Sequence, residues 1–184
     1  VLAQLKSLGI NDSYIVLPVV ALTQNQLLTY WCALEQADTL KYRWSDMQDP
    51  KADSIVKYCL ENSAHKYAVV DVDSGYIVAD FSLGPFTGKA AQVHFSMHPN
   101  NPTDLNIFLA EEVTNSILYQ WKAIKDLEET FLDTIFGITP VSNRPACIFI
   151  RKAGFQAIGT LIAGTKYLNE VDDGLLTMKT RKVQ

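Results

Sequence analysis

Asn143-Arg144-Pro145-Ala146-Cys147-Ile148-Phe149-Ile150-Arg151-Lys152-Ala153-Gly154-Phe155 reads as a helix start, a helix, a glycine stop and the first residue of a strand. Asn143 can cap the helix by accepting a backbone N–H bond. Pro145 falls in the first turn, where a missing N–H leaves nothing unpaired. Gly154 supplies the left-handed residue that ends a helix. Arg151 and Lys152 fall in the last turn, where positive charge suits the helix dipole.

Outward from that stretch, the chain alternates strand-like and helix-like segments. Ser13 to Val20 is rich in β-branched residues and predicts a first strand. Thr23 with Gln26 three residues on is a capping-box signature, and Leu27, Leu28, Trp31 and Leu34 follow at helical spacing. A second helix is expected over Ala52 to Leu60, with Ile55, Val56 and Cys59 on one face. Lys66–Val72, the turn Asp73-Ser74-Gly75 and Tyr76–Leu83 read as a hairpin that Gly84, Pro85 and Gly88 terminate. Ala91–Met97 is a further strand, broken by Pro99, Asn100, Asn101 and Pro102. Thr103 or Asp104 caps a long helix whose stripe runs from Leu105 through Phe108, Leu109, Val113, Ile117 and Trp121 to Ile124. Leu132–Ile138 is a strand, the Asn143 helix follows, and Phe155–Thr165 and Leu175–Lys182 pair as a last hairpin. The expected fold is therefore a single α+β (mixed α/β) domain over residues 1–184. Its order is β-α-α-β-β-β-α-β-α-β-β, with about seven mostly antiparallel strands and four helices.

Composition narrows the function. Apolar content of 48% and charged content of 20% describe an ordinary globular chain. A net charge of −4 argues against broad nucleic-acid or membrane-surface binding. No apolar run approaches the roughly 20 residues needed to span a bilayer. The opening Val1-Leu2-Ala3-Gln4-Leu5-Lys6 lacks the layout of a secretory signal, so a cytoplasmic location is expected. Cys32, Cys59 and Cys147 are odd in number and scattered, which reads as buried thiols rather than a disulfide framework. Trp31, Trp44 and Trp121 read as core.

Asn143, Ala146 at +3, Lys152 at +9, Gly154 at +11 and Phe155 at +12 resemble the last helix of the GCN5-related N-acetyltransferases. The element order is similar to that family's over nearly the whole chain. The resemblance implies acetyl-coenzyme A as donor, held in a V-shaped gap between the fourth and fifth strands, Ala91–Met97 and Leu132–Ile138. It implies backbone contacts from Phe95, Ser96 and Met97 to the pantetheine arm, with Asn143 near the pantetheine and sulfur. Direct attack of a small-molecule or protein amine on the thioester is implied too. Two positions depart from the family pattern. The glycine-rich coenzyme loop is replaced by Pro99-Asn100-Asn101-Pro102-Thr103-Asp104-Leu105-Asn106, with no glycine or basic residue. The +7 position, where many members carry a tyrosine acid, is Ile150.

Gln92, His94, Ser96 and His98 share one face of a strand by alternation. His94 or His98 on that face suits a general base near neutral pH. Asp80, within an alternating strand, is the carboxylate candidate for the same role. His94 and His98 stand roughly 13 Å apart along a strand, too far to share one metal ion. Two readings remain. One is an acetyl-CoA-dependent N-acyltransferase with His94 or Asp80 as base. The other is a module of the same fold with a degenerate coenzyme loop that has lost coenzyme binding. It would act as a structural or interaction protein, in the manner of outlying phage-encoded relatives, in a virion or on a host protein. The last hairpin offers a possible surface for homo-oligomerisation.

Overall fold

The computed structural model describes residues 8–44, 49–120, 122–125 and 128–182. Val1–Lys6 and Trp121, for which the sequence carried expectations, lie outside the described residues. The chain divides into two compact units, residues 1–82 with 95–106, and residues 83–94 with 107–184.

The first unit opens with a hairpin of β1 (Leu8–Asn11) and β2 (Tyr14–Pro18), and a 3-10 turn over Val19–Ala21 follows. Then come α1 (Gln24–Gln36), α2 (Leu40–Arg43), α3 (Ala52–Glu61) and β3 (Lys66–Asp71). The start of β4 (Ile77–Thr87) and the end of β5 (Ala90–Met97) complete the unit. The capping box of α1 forms as the sequence predicts. The Gln26 N–H donates to Thr23 Oγ1 at 3.2 Å, and the Thr23 N–H donates to Gln26 Oε1 at 3.0 Å. The stripe it launches is buried. Leu27, Trp31 and Leu34 pack in one core with Ile55, Val56 and Cys59 of α3, Ala68 and Val70 of β3, and Ile77 of β4. Each large aliphatic side chain buried there contributes about 1.5–3 kcal/mol.

The second unit holds the first residues of β5 and the body of α4 (Thr103–Tyr119). A two-stranded sheet of β6 (Lys122–Lys125) and β7 (Glu128–Phe131) follows. Then come β8 (Thr134–Pro140), α5 (Arg144–Lys152), β9 (Gln156–Tyr167) and β10 (Glu170–Thr180). Ala91, Val93, Leu109, Val113, Ile135 and Ile150 are buried in it. The half-buried Lys179 donates to Thr114 Oγ1 at 2.9 Å and to the Ala153 carbonyl at 3.3 Å, which ties β10 to α4 and to the end of α5.

Eight strands are hydrogen-bonded in the order β1-β2-β3-β4-β5-β8-β10-β9. β5 and β8 run parallel, whereas β1–β2, β2–β3, β3–β4, β8–β10 and β9–β10 are antiparallel. The mixed α+β fold is as the sequence predicts, with ten strands and five α-helices among the described residues where about seven strands and four helices were expected.

The differences are local. The first strand gains a partner, β1, and ends at Pro18 rather than Val20. α2 is an addition. β4 continues past Gly84 to Thr87, with Gly84 at a φ of 127° that other residues avoid. α4 stops at Tyr119, and Ile124 belongs to β6 instead of the helix stripe. The expected strand Leu132–Ile138 shifts to Thr134–Pro140. The expected hairpin strands Phe155–Thr165 and Leu175–Lys182 become Gln156–Tyr167 and Glu170–Thr180, joined by the two-residue turn Leu168-Asn169, whose φ angles of 50° and 70° match a type I′ hairpin turn.

Candidate functional site

The first unit contains a partly enclosed recess among α1, α2, α3, β3 and β4, with Asp80 in its wall. Counted with the solvent at its mouth, its empty space is about 340 Å³. The Tyr30 hydroxyl lies 3.0 Å from Asp80 Oδ1 and 3.0 Å from the Ser96 carbonyl oxygen. Tyr30 comes from α1, Asp80 from β4 and Ser96 from β5, so three elements meet at one phenolic oxygen. Asp80 is 8% exposed. Burial pushes the proton affinity of its carboxyl up, while the nearby Arg43 charge and the Tyr30 hydrogen bond pull it back. Burial also raises Tyr30, and the Asp80 charge raises it further. A single phenolic hydrogen cannot serve two acceptors fully. With Asp80 protonated, its own O–H donates to Tyr30 and Tyr30 donates to the Ser96 carbonyl. With Asp80 ionised, Tyr30 turns its proton to the carboxylate.

Arg43 and Trp44, at the end of α2, form the opposite chemistry. Arg43 Nη2 donates to Ser82 Oγ at 3.0 Å, and its guanidinium carbon lies 5.1 Å from the Trp44 ring centre. Arg43 Nε and Trp44 Nε1 are buried without a hydrogen-bond partner, as is Ser96 Oγ. As expected, Trp31 is core at 2% exposed and the half-buried Trp44 packs against the same core; both also line the recess. The Cys59 thiol, also in the wall, is pushed up to about 12, chiefly by burial, and so stays protonated.

The remaining sequence candidates fall as follows. Ser96 is buried, and Phe95 and Met97 are half-buried on the same strand end. His98, just after β5, accepts a hydrogen bond from the Asn100 N–H on Nδ1 at 3.3 Å, and burial lowers its proton affinity. His94 is half-buried on β5 in the second unit. Asn143 is also in the second unit, where its Oδ1 accepts from the Ala146 N–H at 3.3 Å as the cap of α5. Ile150, at the tyrosine position of the resemblance, is 7% exposed and packs as core. Cys147 is half-buried and donates to the Pro140 carbonyl at 3.4 Å.

Sequence reasoning missed Tyr30, Arg43 and Trp44. Tyr30 sat inside a helix stripe that explained it as packing, and Arg43 lay in a stretch with no helical signature.

In the second unit β5 and β8 pair only as Ala90↔Thr134, Ala91↔Ile135 and Gln92↔Phe136. Both strands then continue, with Val93 and His94 next on one and Gly137 next on the other. The segment before α4 spends its donors on itself. The Asn101 N–H donates to the His98 carbonyl at 3.0 Å, and the Asn100 N–H is the one that His98 holds. Asn101 Nδ2 donates to the Val78 carbonyl at 2.8 Å and to Asn106 Oδ1 at 2.9 Å. Pro99 and Pro102 have no N–H to give. Among the described residues no three His, Cys, Asp or Glu side chains converge as a metal site, and no helix is long and apolar enough to cross a membrane.

Strand order, the parallel pair and the α5 terminator together define the fold of the GCN5-related N-acetyltransferases. The chain is similar over 96% of its length to the acetyltransferase of Salmonella typhimurium that modifies the N-terminal serine of ribosomal protein L7/L12. The TM-score is 0.72, with 8% identity and all of that chain covered. A GNAT-family acetyltransferase from Bacillus anthracis matches with a TM-score of 0.70 at 12% identity, over 92% of this chain and 95% of that one. The spermidine N-acetyltransferase of Vibrio cholerae, solved with CoA and spermine, matches at 0.65 with 13% identity, over 92% and 96%. No protein-family model and no curated protein matches the sequence.

Proposed function

We propose that this chain is an N-acyltransferase that moves an acyl group from a coenzyme A thioester to an amine, with Asp80 as the proton acceptor. The observation that carries this is the buried Asp80 carboxyl, of raised proton affinity, in the wall of a recess on an acetyltransferase fold. A general base works best when its proton affinity lies near the operating pH, and burial moves Asp80 in that direction. When bound, the coenzyme supplies an electrophilic carbonyl and a thiolate leaving group. The amine nitrogen forms the new amide bond as the carbon–sulfur bond breaks. Asp80 takes the proton that the attacking nitrogen sheds, and the Tyr30 hydroxyl, 3.0 Å away, holds the carboxyl in place. Ile150 has no proton to give, so the departing thiolate takes its proton from elsewhere.

The chain fits the thioester arm better than the diphosphate. β5 runs on beyond its ladder with β8, which leaves strand for the arm. The backbone from Pro99 to Pro102 has no free donor for phosphate oxygens, and what remains is the exposed Asn100 side-chain amide and the first N–H groups of α4, with Asp104 in the same turn. A nearby carboxylate repels phosphate. The affinity therefore resides in the pantetheine arm. Those engaged donors also support the second reading, a module of this fold without coenzyme.

Thermal shift with acetyl-CoA and with acetyl-pantetheine decides between them. Ligand at about 100 times its dissociation constant adds roughly 2.7 kcal/mol of stability. Equal shifts with both donors are expected. No shift with either at millimolar concentration sinks the transferase reading, and a shift with acetyl-CoA alone shows that the phosphates are held after all.

A further inference from the structure

Three features of the recess point to an anion. Arg43 and Trp44 both line the recess, and each keeps a buried N–H donor, Nε and Nε1, without a partner. A buried donor without an acceptor is costly, and a ligand oxygen removes that cost. The wall also carries the positive charges of Arg43 and Lys66 against the single carboxyl of Asp80. Burial lowers the proton affinity of Lys66, and an anion nearby offsets that. The side chains of Trp31 and Trp44 line the recess too, which suits an apolar stem behind the charge. Arg43 has already committed one amino group to Ser82, and its Nε is left without a partner.

We infer that this recess binds the carboxylate of a small organic acid, one oxygen on Arg43 Nε and the other on Trp44 Nε1. A planar carboxylate has two acceptor oxygens for these two donors, and charge-assisted bonds of this kind are the strong ones. A phosphate or sulfate fits less well, since its extra oxygens meet aromatic walls and the Asp80 carboxyl. A plain cationic amine is disfavoured by Arg43 and Lys66. Joined to the proposed transfer reaction, on which this last step rests, the acceptor is a carboxylate-bearing amine. Its acid end docks on Arg43 and Trp44, and its amine lies toward Asp80.

The test uses the full chain without any acyl donor. Trp31 and Trp44 line the recess, so intrinsic tryptophan fluorescence reports on its occupancy. Propionate is the probe, with 1-propanol and propylamine as controls at matched ionic strength. Propionate is expected to give a saturable change at millimolar concentration, and the controls none. Arg43→Met keeps the stem and removes the donors, and should weaken propionate binding about tenfold or more. Trp44→Phe keeps the packing, removes only the indole N–H, and should weaken binding by a smaller factor when read by thermal shift. Circular dichroism establishes that each variant is folded. Absence of binding to the wild type overturns the inference, as does equal binding of propanol or propionate affinity unchanged in both variants. None of these outcomes bears on the donor titration, so the two readings fail separately.

Discussion

Asp80 is a carboxylate in an expensive place, and the sign of that expense is testable. Its proton affinity is raised in the fold by burial, so the folded chain holds the proton more tightly than the unfolded one. Above the ordinary carboxylate range, near pH about 4, the unfolded side chain has already lost its proton. Unfolding therefore releases a proton between that pH and the raised value of the folded state. Wild-type stability falls as pH rises through this window and is flat above it. Asp80→Asn keeps the shape, still bonds Tyr30 and does not titrate, so its urea midpoint should gain on the wild type across the window. Parallel profiles would show that Asp80 ionises normally. In the transfer assay the same variant should lose roughly 10²- to 10⁴-fold in rate, and an unchanged rate would move the base to His94. The sequence placed Asp80 in a strand and named it as a candidate. It did not reveal Tyr30, because the two residues lie 50 positions apart and only tertiary packing joins them.

At the scale of the element, α5 was legible because all its signals are local. The Asn143 cap forms. At the far end the Gly154 N–H bonds the Arg151 carbonyl at 3.0 Å and the Phe155 N–H bonds the Ile150 carbonyl at 3.2 Å. That pattern is the Schellman motif, with Ile150 and Phe155 as its buried apolar pair. Asn143→Ala should cost about 1 kcal/mol. Gly154→Ala should cost about 1–2 kcal/mol, because φ is 86° there and an L-residue resists it. Its new Cβ would also meet Lys179 Nζ at 3.4 Å. Thermal denaturation of both variants checks the order, and a cap that outweighs the glycine would contradict it. α4 was read less well. Ile124 fits the end of a helix stripe and a strand equally, and periodicity alone cannot choose between them. The final turn was misplaced for a related reason. Leu168 is no turn former, yet the hairpin drives it to positive φ beside Asn169.

For the whole molecule, the order of elements was readable since nearly every strand and helix carries its own cap, break or alternation. What escaped were pieces too short to show a period, namely β1, α2 and the β6–β7 pair. The recess escaped as well, being assembled from five elements. Another property of the molecule was not visible in sequence, namely the irregularity of its outermost strand. Against β10, β9 pairs Ala157 with Thr177, then Gly159 with Leu176, then Leu161 with Gly174, then Thr165 with Asp172. It therefore carries an extra residue near Ile158 and more between Leu161 and Thr165. The second bulge is held by Asp173 Oδ1, which accepts from the Ala163 N–H at 2.9 Å. Asp173→Ala should release that hold. Light scattering against concentration should then show self-association above that of the wild type, and unchanged scattering would mean that the bulge holds without Asp173.

β9 exposes Ile158, Ile162 and much of its length at the border of the sheet, an arrangement that invites pairing with any extended chain. Its interrupted register works like a key cut in short steps. A straight incoming strand that matches Gly159–Leu161 has lost step by Thr165–Tyr167. Such a strand gains a few hydrogen bonds and then none, so stacking of one molecule on the next ends before it can spread. The broken register thus guards an apolar border that the described residues leave exposed.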